Sequence, residues 1–442
     1  MSLKTFMGGA HPHDFKEFSK DAFIEEFPLP KKVIIQLSQH IGAPSKPIVK
    51  VGDEVKTGQV IAEAGGFVSI PMHSSITGKV TKIVKFPHPA GNSQMAIEIT
   101  GDGKTDDWVG LIDEKDYLSL SPEEMKKRIL EAGVCGMGGA GFPTHVKLSP
   151  PADKPIDTVI LNGVECEPFL TADYRIMLEQ AEDIIKGLKI IMKIVKADKG
   201  IIGIEANKPD AIKHLSNLVS KESNLQVVAL KVKYPQGAEK QLIYAATKRR
   251  VPNKGGLPME AKVVVQNVGT AIAVYEAVAK KKPLIDRVIT VTGGIVKNPK
   301  NYRARIGTLY SELLEGAGGV SEEIGSVISG GPMMGFAIPT LETPMTKGSS
   351  GLLIFNDQQA KRNQEMNCIS CAGCVNVCPM NLIPNMIVRA TKYDDWAMAE
   401  KAGTMDCMRC GSCAYVCPAN INILQYVDIA KAKIFEERKK AK

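Results

Sequence analysis

Apolar residues in "AEDIIKGLKIIMKIV" (181–195) recur at three- and four-residue intervals with lysines between them, which is a helical period. The neighbouring runs "DTVILNGVE" and "GIIGIEA" are short and rich in β-branched residues, as buried strands are, and "KPDAIKHLSNLVSK" returns to the helical period. Over residues 118–285 this alternation predicts a largely parallel sheet covered by helices, with ligands at the carboxyl ends of its strands. Residues 31–105 are patterned differently. There "KPIVKVGDEVKTGQVIAEA" and "VSIPMHSSITGKVTKIVKF" give short strands broken by Gly-Asp and Thr-Gly turns. From 286 to about 352 strands return in "DRVITVTGGIVKNP", followed by a helix at "LYSELLEGAGG". A mostly helical segment, 360–432, precedes a charged tail, 433–442, and residues 1–30 form an N-terminal arm.

The fold class is therefore multidomain α/β, consistent with a 442-residue chain too long for one ordinary core. The first β segment resembles the barrel-sandwich hybrid of lipoyl and biotinyl carriers. Those carriers display a modified lysine at a hairpin turn, where this chain has Pro71-Met72-His73-Ser74, so a structural module without a swinging arm is expected. Residues 286–352 resemble a β-grasp, SLBB-like module. Hydrophobic residues make up 44% and charged residues 24%, the balance of a globular protein. No apolar run reaches the ~18 residues of a membrane span, and "MSLKTFMGGAHPH" lacks the apolar core of a signal peptide. A net charge of +8 suits either acidic partners, such as an electron carrier or an anionic membrane surface, or a solvated lysine-rich surface. No basic stripe interleaved with aromatics points to nucleic acid.

Cysteine placement changes the picture most. Eight of the ten fall in the last 75 residues. "CISCAGCVNVCP" places Cys368, Cys371, Cys374 and Cys378 at C-x2-C-x2-C-x3-C-P, and "CMRCGSCAYVCP" repeats the spacing with Cys407, Cys410, Cys413 and Cys417. This is the two-cluster ferredoxin run, in which each fourth cysteine serves the other cluster. One [4Fe–4S] cluster is expected on Cys368, Cys371, Cys374 and Cys417, the other on Cys407, Cys410, Cys413 and Cys378. Structural zinc sites, which use separated pairs of sulfurs, fit this doubled pattern poorly. Cys135 and Cys166 stand apart and read best as buried small residues.

"CGMGGAGFPTHVKL" (135–148) satisfies G-x-G-x-x-G through Gly136, Gly138 and Gly141, yet it follows a helix rather than a strand. In that helix, "SPEEMKKRILEAGV", Ser121 suits the N-cap, Pro122 the first helical position and Gly133 the stop. No Lys-Ser/Thr follows the glycines, which excludes a Walker A loop. Small residues, free backbone N–H groups and Lys147 suit a flavin mononucleotide phosphate. A chain that exchanges electrons with a nicotinamide and moves them singly needs such a flavin. Asn162, Glu165 and Glu167 in "LNGVECEPFLTADYR" follow at a strand end. His11 and His13 could share a metal on one strand face, although a capping arm is the better reading, and "GGPMMGF" (330–336) reads as a turn with packing methionines.

The glycine loop, "NGVECEP", "YPQGAEKQLIY" and "VVVQNVGTAIAV" occur in the order found in the flavin-carrying, NADH-binding subunit of respiratory complex I. The chain as a whole resembles the RnfC family of Rnf-type ferredoxin:NAD oxidoreductase subunits, through "GGAHPHDFK", "GGAGFPTHVKL", "KYPQGAEKQL", "QNVGTA", "GGPMMGF" and both cysteine runs. The resemblance implies that Gly136, Gly138, Gly139 and Lys147 follow the FMN phosphate and nucleotide path. It further implies that Asn162, Glu165, Asn267 and Thr270 contact FMN, that Glu167, Tyr234 and Glu239 shape the nicotinamide side, and that Gly237 is a cofactor-binding residue. Val164, Ala238 and Lys240 depart from the complex I pattern. The implied function is electron transfer between NAD(H), FMN and two [4Fe–4S] clusters. Other Rnf-type membrane and iron–sulfur subunits, and ferredoxin, are the implied partners, with peripheral attachment to the cytoplasmic face of the membrane through those subunits. Related cobalamin reductases and a nucleotide-free electron-transfer adaptor are the alternatives.

Overall fold

In the computed structural model, residues 3–253, 255–361 and 363–440 are described; residues 1–2 of the arm and 441–442 of the tail lie outside them. Strands Thr158–Gly163, Lys199–Glu205, Leu225–Leu230 and Val263–Asn267 form a parallel sheet in the order 225–230, 199–205, 158–163, 263–267. The chain runs outward from 158–163 on one side and then returns to its other side. The carboxyl end of 158–163 is thus a topological switch point, where neighbouring connections diverge and leave a crevice. Asn162 and Asn267 are register partners there.

The helix Ala181–Val195 spans the run its period predicts and buries Ile184, Leu188, Ile191 and Val195. Each such side chain contributes roughly 2 kcal/mol on burial. Gly187 lets this helix cross the helix Val268–Lys280 closely: a Cβ there would lie 1.9 Å from the Ala271 carbonyl oxygen. The helix Pro122–Glu131 starts at Ser121, whose side chain accepts from the Glu124 N–H, and stops at Gly133 with φ +62°.

Ahead of this domain, the four-stranded sheet Lys32–Gln36, Ser93–Thr100, Gly78–Pro87, Glu54–Val55 packs with the three-stranded sheet Lys46–Pro47, Val60–Glu63, Met72–His73. All pairings are antiparallel. Gly52 and Gly58 take positive φ at the expected turns. Met72 and His73 are a buried strand rather than an exposed hairpin tip, so nothing at that turn is displayed to solvent as a carrier lysine is.

The third sheet has the order Ile24–Glu26, Lys300–Arg305, Asp286–Thr292, Gly351–Phe355, Ser326–Ser329, Phe336–Ala337. Its edge strand Ile24–Glu26 comes from the N-terminal arm and pairs in parallel with Lys300–Arg305. The C-terminal segment packs the helices Pro384–Lys392, Trp396–Lys401 and Ile423–Lys440 around Ile387, Ala399, Val427 and Ala430. Residues 433–440 of the charged tail are the end of the last helix, held inward by Ile434, which is 2% exposed. Among the described residues no helix is long and apolar enough to cross a membrane.

Candidate functional site

The glycine loop stands at the switch point. Cys135 and Pro143 bridge its base, and the Gly136 N–H donates to the Phe142 carbonyl at 2.8 Å. Gly138 has φ +73°, and a Cβ there would lie 2.8 Å from Asn267 Nδ2. A side chain is excluded at that point. At Gly139 a Cβ would meet no atom within 4 Å, so this backbone faces open space. From behind, Lys347 Nζ donates to the Gly133 carbonyl at 2.7 Å and the Ile41 N–H to the Gly141 carbonyl at 3.1 Å. All three N-terminal modules therefore shape the loop.

Asn267 and Thr270 carry the loop on the helix they begin. Asn267 Oδ1 accepts from the N–H groups of Gly269 and Thr270, its Nδ2 donates to Asp173 at 2.6 Å, and Thr270 Oγ1 accepts from the Met137 N–H at 2.9 Å. Asn162 Nδ2 donates to the Gly237 carbonyl at 2.8 Å. Lys147 is not a free cation. Its Nζ lies 2.7 Å from Glu239 Oε1, joining two residues expected on different sides of the site.

The segment 162–170 is held by buried charge. Glu165, at φ +48°, accepts from the N–H groups of Asp173 and Tyr174 and faces Lys16 at 3.8 Å. Burial raises its carboxyl to about 7, against the pull of Lys16. Glu167 is raised to about 7 by burial as well; its carboxylate accepts from the Met333 N–H at 3.0 Å and the Tyr234 hydroxyl at 3.4 Å. Lys16 Nζ also donates to the carbonyls of Glu167 and Leu170, and Lys208 Nζ donates to that of Val164 at 2.8 Å. Sequence reasoning missed Lys16, Lys208, Asp173 and Met333: Lys16, Asp173 and Met333 stand inside quoted motifs that do not mark them as partners of Glu165, Asn267 or Glu167, and Lys208 comes from a run that reads only as a helix. Cys166 Sγ accepts from the Gly237 N–H at 3.4 Å, and Cys135 is fully buried beside the Gln39 carbonyl. Burial pushes both thiols up.

Two cavities in the C-terminal segment are lined by cysteine. Cys378, Cys407, Cys410 and Cys413 share one with Leu382, Ile387 and Val427; Cys368, Cys371, Cys374 and Cys417 share the other with Val388, Ile421 and Ile423. Each fourth cysteine thus lies with the other run. The donor set suits a [4Fe–4S] cluster: four thiols, apolar walls, and backbone N–H groups of Leu382 and Arg409 aimed at Cys378 and Cys407 sulfurs at 3.4 Å. For FMN, the open backbone at Gly139 fits a phosphate path. The side chain of Gln236 and the Gln266 Nε2, neighbours in sequence of Gly237 and Asn267, are buried without hydrogen-bond partners among the described residues. His13 clusters with Asp14 and Glu17, and His11 is not part of that group.

Four family models match along the chain: the RnfC barrel sandwich hybrid domain at 4–104, the Nuo51 FMN-binding domain at 129–276, the SLBB domain at 288–337 and a 4Fe-4S dicluster domain at 360–418. The RnfC-type subunit of the proton-translocating ferredoxin:NAD(+) oxidoreductase complex of Clostridium ljungdahlii is 50% identical over 386 residues, 87% of this chain and 84% of that one. Its counterpart in the Na(+)-translocating complex of Acetobacterium woodii is 46% identical over 441 residues, 99% and 98% of the two chains. Among solved structures, an NAD+-reducing [NiFe]-hydrogenase in the H2-reduced state aligns over 72% of this chain and 61% of that one, at 17% identity and TM-score 0.48. With an FMN-binding domain and a 4Fe-4S dicluster domain in that order, and with such identity over most of its length, the chain belongs to the RnfC family of Rnf-type, ion-translocating ferredoxin:NAD oxidoreductase complexes.

Proposed function

We propose that this chain is the peripheral subunit of a membrane-bound, ion-translocating ferredoxin:NAD oxidoreductase, passing electrons between NAD(H) and partner redox subunits. FMN and two [4Fe–4S] clusters are its cofactors. Bound here, they interconvert the two-electron hydride of NAD(H) and single electrons, chemistry the protein positions rather than performs. The observation that carries the reading is the presence of two four-cysteine cavities and a nucleotide-type switch point on one chain. Cys368, Cys371, Cys374 and Cys417 hold one cluster, and Cys407, Cys410, Cys413 and Cys378 the other. Gly136, Gly138, Gly139 and Lys147 follow the FMN phosphate. Asn162, Glu165, Asn267 and Thr270 fix the rest of the flavin site, in part by orienting the glycine loop. Glu167, Tyr234, Gly237 and Glu239 form the nicotinamide side. The partners are the membrane and iron–sulfur subunits of the complex, with ferredoxin beyond them, and attachment is to the cytoplasmic face through those subunits.

An anaerobic NADH titration of chain with rebuilt clusters and added FMN, followed by flavin absorbance and cluster EPR, tests this. Flavin bleaching followed by reduced-cluster signals is expected. Clusters that accept electrons from dithionite while FMN fails to bind and NADH does nothing mark an adaptor instead.

A further inference from the structure

The turn "GGPMMGF" has a place in the molecule that its packing role does not explain. The Met333 N–H, joined by that of Met334, donates to the buried carboxylate of Glu167, so the turn wraps the acid with successive backbone donors. The approach depends on Gly331: a Cβ there would lie 2.2 Å from Glu167 Oε2. Gly331 does not have positive φ, so steric room, not backbone conformation, is what an alanine would violate. On its other side the same turn abuts the inner cysteine loop. A Cβ on Gly411 would lie 3.1 Å from the Met333 carbonyl oxygen. Met333 thus spends its N–H on the nucleotide side and sets its carbonyl against the residue that follows Cys410. The other cavity differs: its Cys368 and Cys371 are exposed.

We propose that the 330–335 turn of the SLBB-like module is the positioning element between the nucleotide site and the inner cavity of Cys378, Cys407, Cys410 and Cys413, making that cavity the first cluster position from NAD(H) and the Cys368 cavity the outward one. This rests on the function proposed above. The turn fixes Glu167 and the Cys410–Gly411 backbone relative to one another through a single residue.

Two variants and one amide measurement test it. Gly331→Ala separates the turn from Glu167, and Gly411→Ala, at φ +79°, crowds the Met333 carbonyl and shifts the backbone beside Cys410 relative to it. In both, at saturating NADH, reduction of the inner cluster relative to flavin bleaching slows several-fold, while dithionite still reduces both clusters. In Gly411→Ala the KM for NADH stays at the wild-type value, which separates positioning from binding. Independently of any turnover, Glu167→Ala accelerates hydrogen exchange at residues 331–335 about tenfold, because the Met333 donor loses its acceptor. Wild-type transfer that both glycine variants leave at full speed overturns the inference alone, as does exchange unchanged in Glu167→Ala. A wild-type chain in which NADH neither bleaches flavin nor reduces a cluster overturns the proposed function and this inference with it.

Discussion

Glu165 illustrates how one buried acid links folding to pH. Its carboxyl is raised from 4.5 to about 7, chiefly by burial, so between those values the folded chain holds a proton that the unfolded chain has lost. That contribution to stability is complete below pH 4.5 and disappears as pH rises through about 7. Glu165→Gln keeps an acceptor for the N–H groups of Asp173 and Tyr174 but removes the titration. Denaturant unfolding from pH 5 to 8 is expected to show wild type losing about 1–3 kcal/mol more than the variant; parallel curves refute the assignment. Lys147 is a second case. Its ion pair with Glu239 fixes the position of the ammonium group. Lys147→Ala is expected to weaken FMN binding by about ten- to a hundredfold, the worth of one charge-assisted hydrogen bond of roughly 1.5–3 kcal/mol. Flavin fluorescence titration measures it, and an unchanged Kd places the phosphate elsewhere.

At the scale of elements, the crossing of Ala181–Val195 over Val268–Lys280 sets the depth of the flavin-side helix. Alanine in place of glycine inside a helix ordinarily stabilises by about 1 kcal/mol. Here the added methyl would sit 1.9 Å from the Ala271 carbonyl, one residue past Thr270. Gly187→Ala should therefore destabilise, by about 1–3 kcal/mol of overpacking, and weaken FMN binding by tilting Asn267 and Thr270. A thermal melt showing a stabilised variant contradicts this packing. The same helix shows what the sequence made legible. Its period, the strand runs at 158–163 and 199–205, and the Ser121 cap are local signals, and local physics reproduces them. The cysteine spacing is legible for the same reason. What escaped is pairing between distant segments. Lys147 meets Glu239 across 92 residues and Met333 meets Glu167 across 166, contacts that no periodicity encodes. Lys16 escaped because a buried lysine looks like any surface lysine until its carbonyl acceptors are in place.

For the whole molecule, the N-terminal arm touches three modules in turn. Its Gly9 N–H donates to the Val377 carbonyl beside Cys378, Ala10 exchanges two backbone hydrogen bonds with Tyr234, and the Phe169 N–H donates to the Asp14 carbonyl. Ser19 and Ala22 carbonyls accept from Asn301 Nδ2 before Ile24–Glu26 joins the third sheet. The arm therefore links the cysteine-rich segment, the parallel sheet domain and the SLBB-like sheet. Gly9 is the narrowest point: it has φ +86°, and a Cβ would lie 2.6 Å from the Tyr234 carbonyl oxygen. Gly9→Val cannot occupy this backbone without strain, so the arm should lift where it joins Tyr234 to Val377. Lys16 and the strand at 24–26 lie farther along and keep their partners. The expected result is faster proteolytic cleavage between residues 356 and 367, ahead of the first cysteine, with the barrel-sandwich module as resistant as before. Equal cleavage rates in variant and wild type mean that the cysteine-rich segment docks without the arm. Its placement then rests on other contacts, among them the Gln241 hydrogen bond to the Pro379 carbonyl and the meeting of Met333 with Gly411.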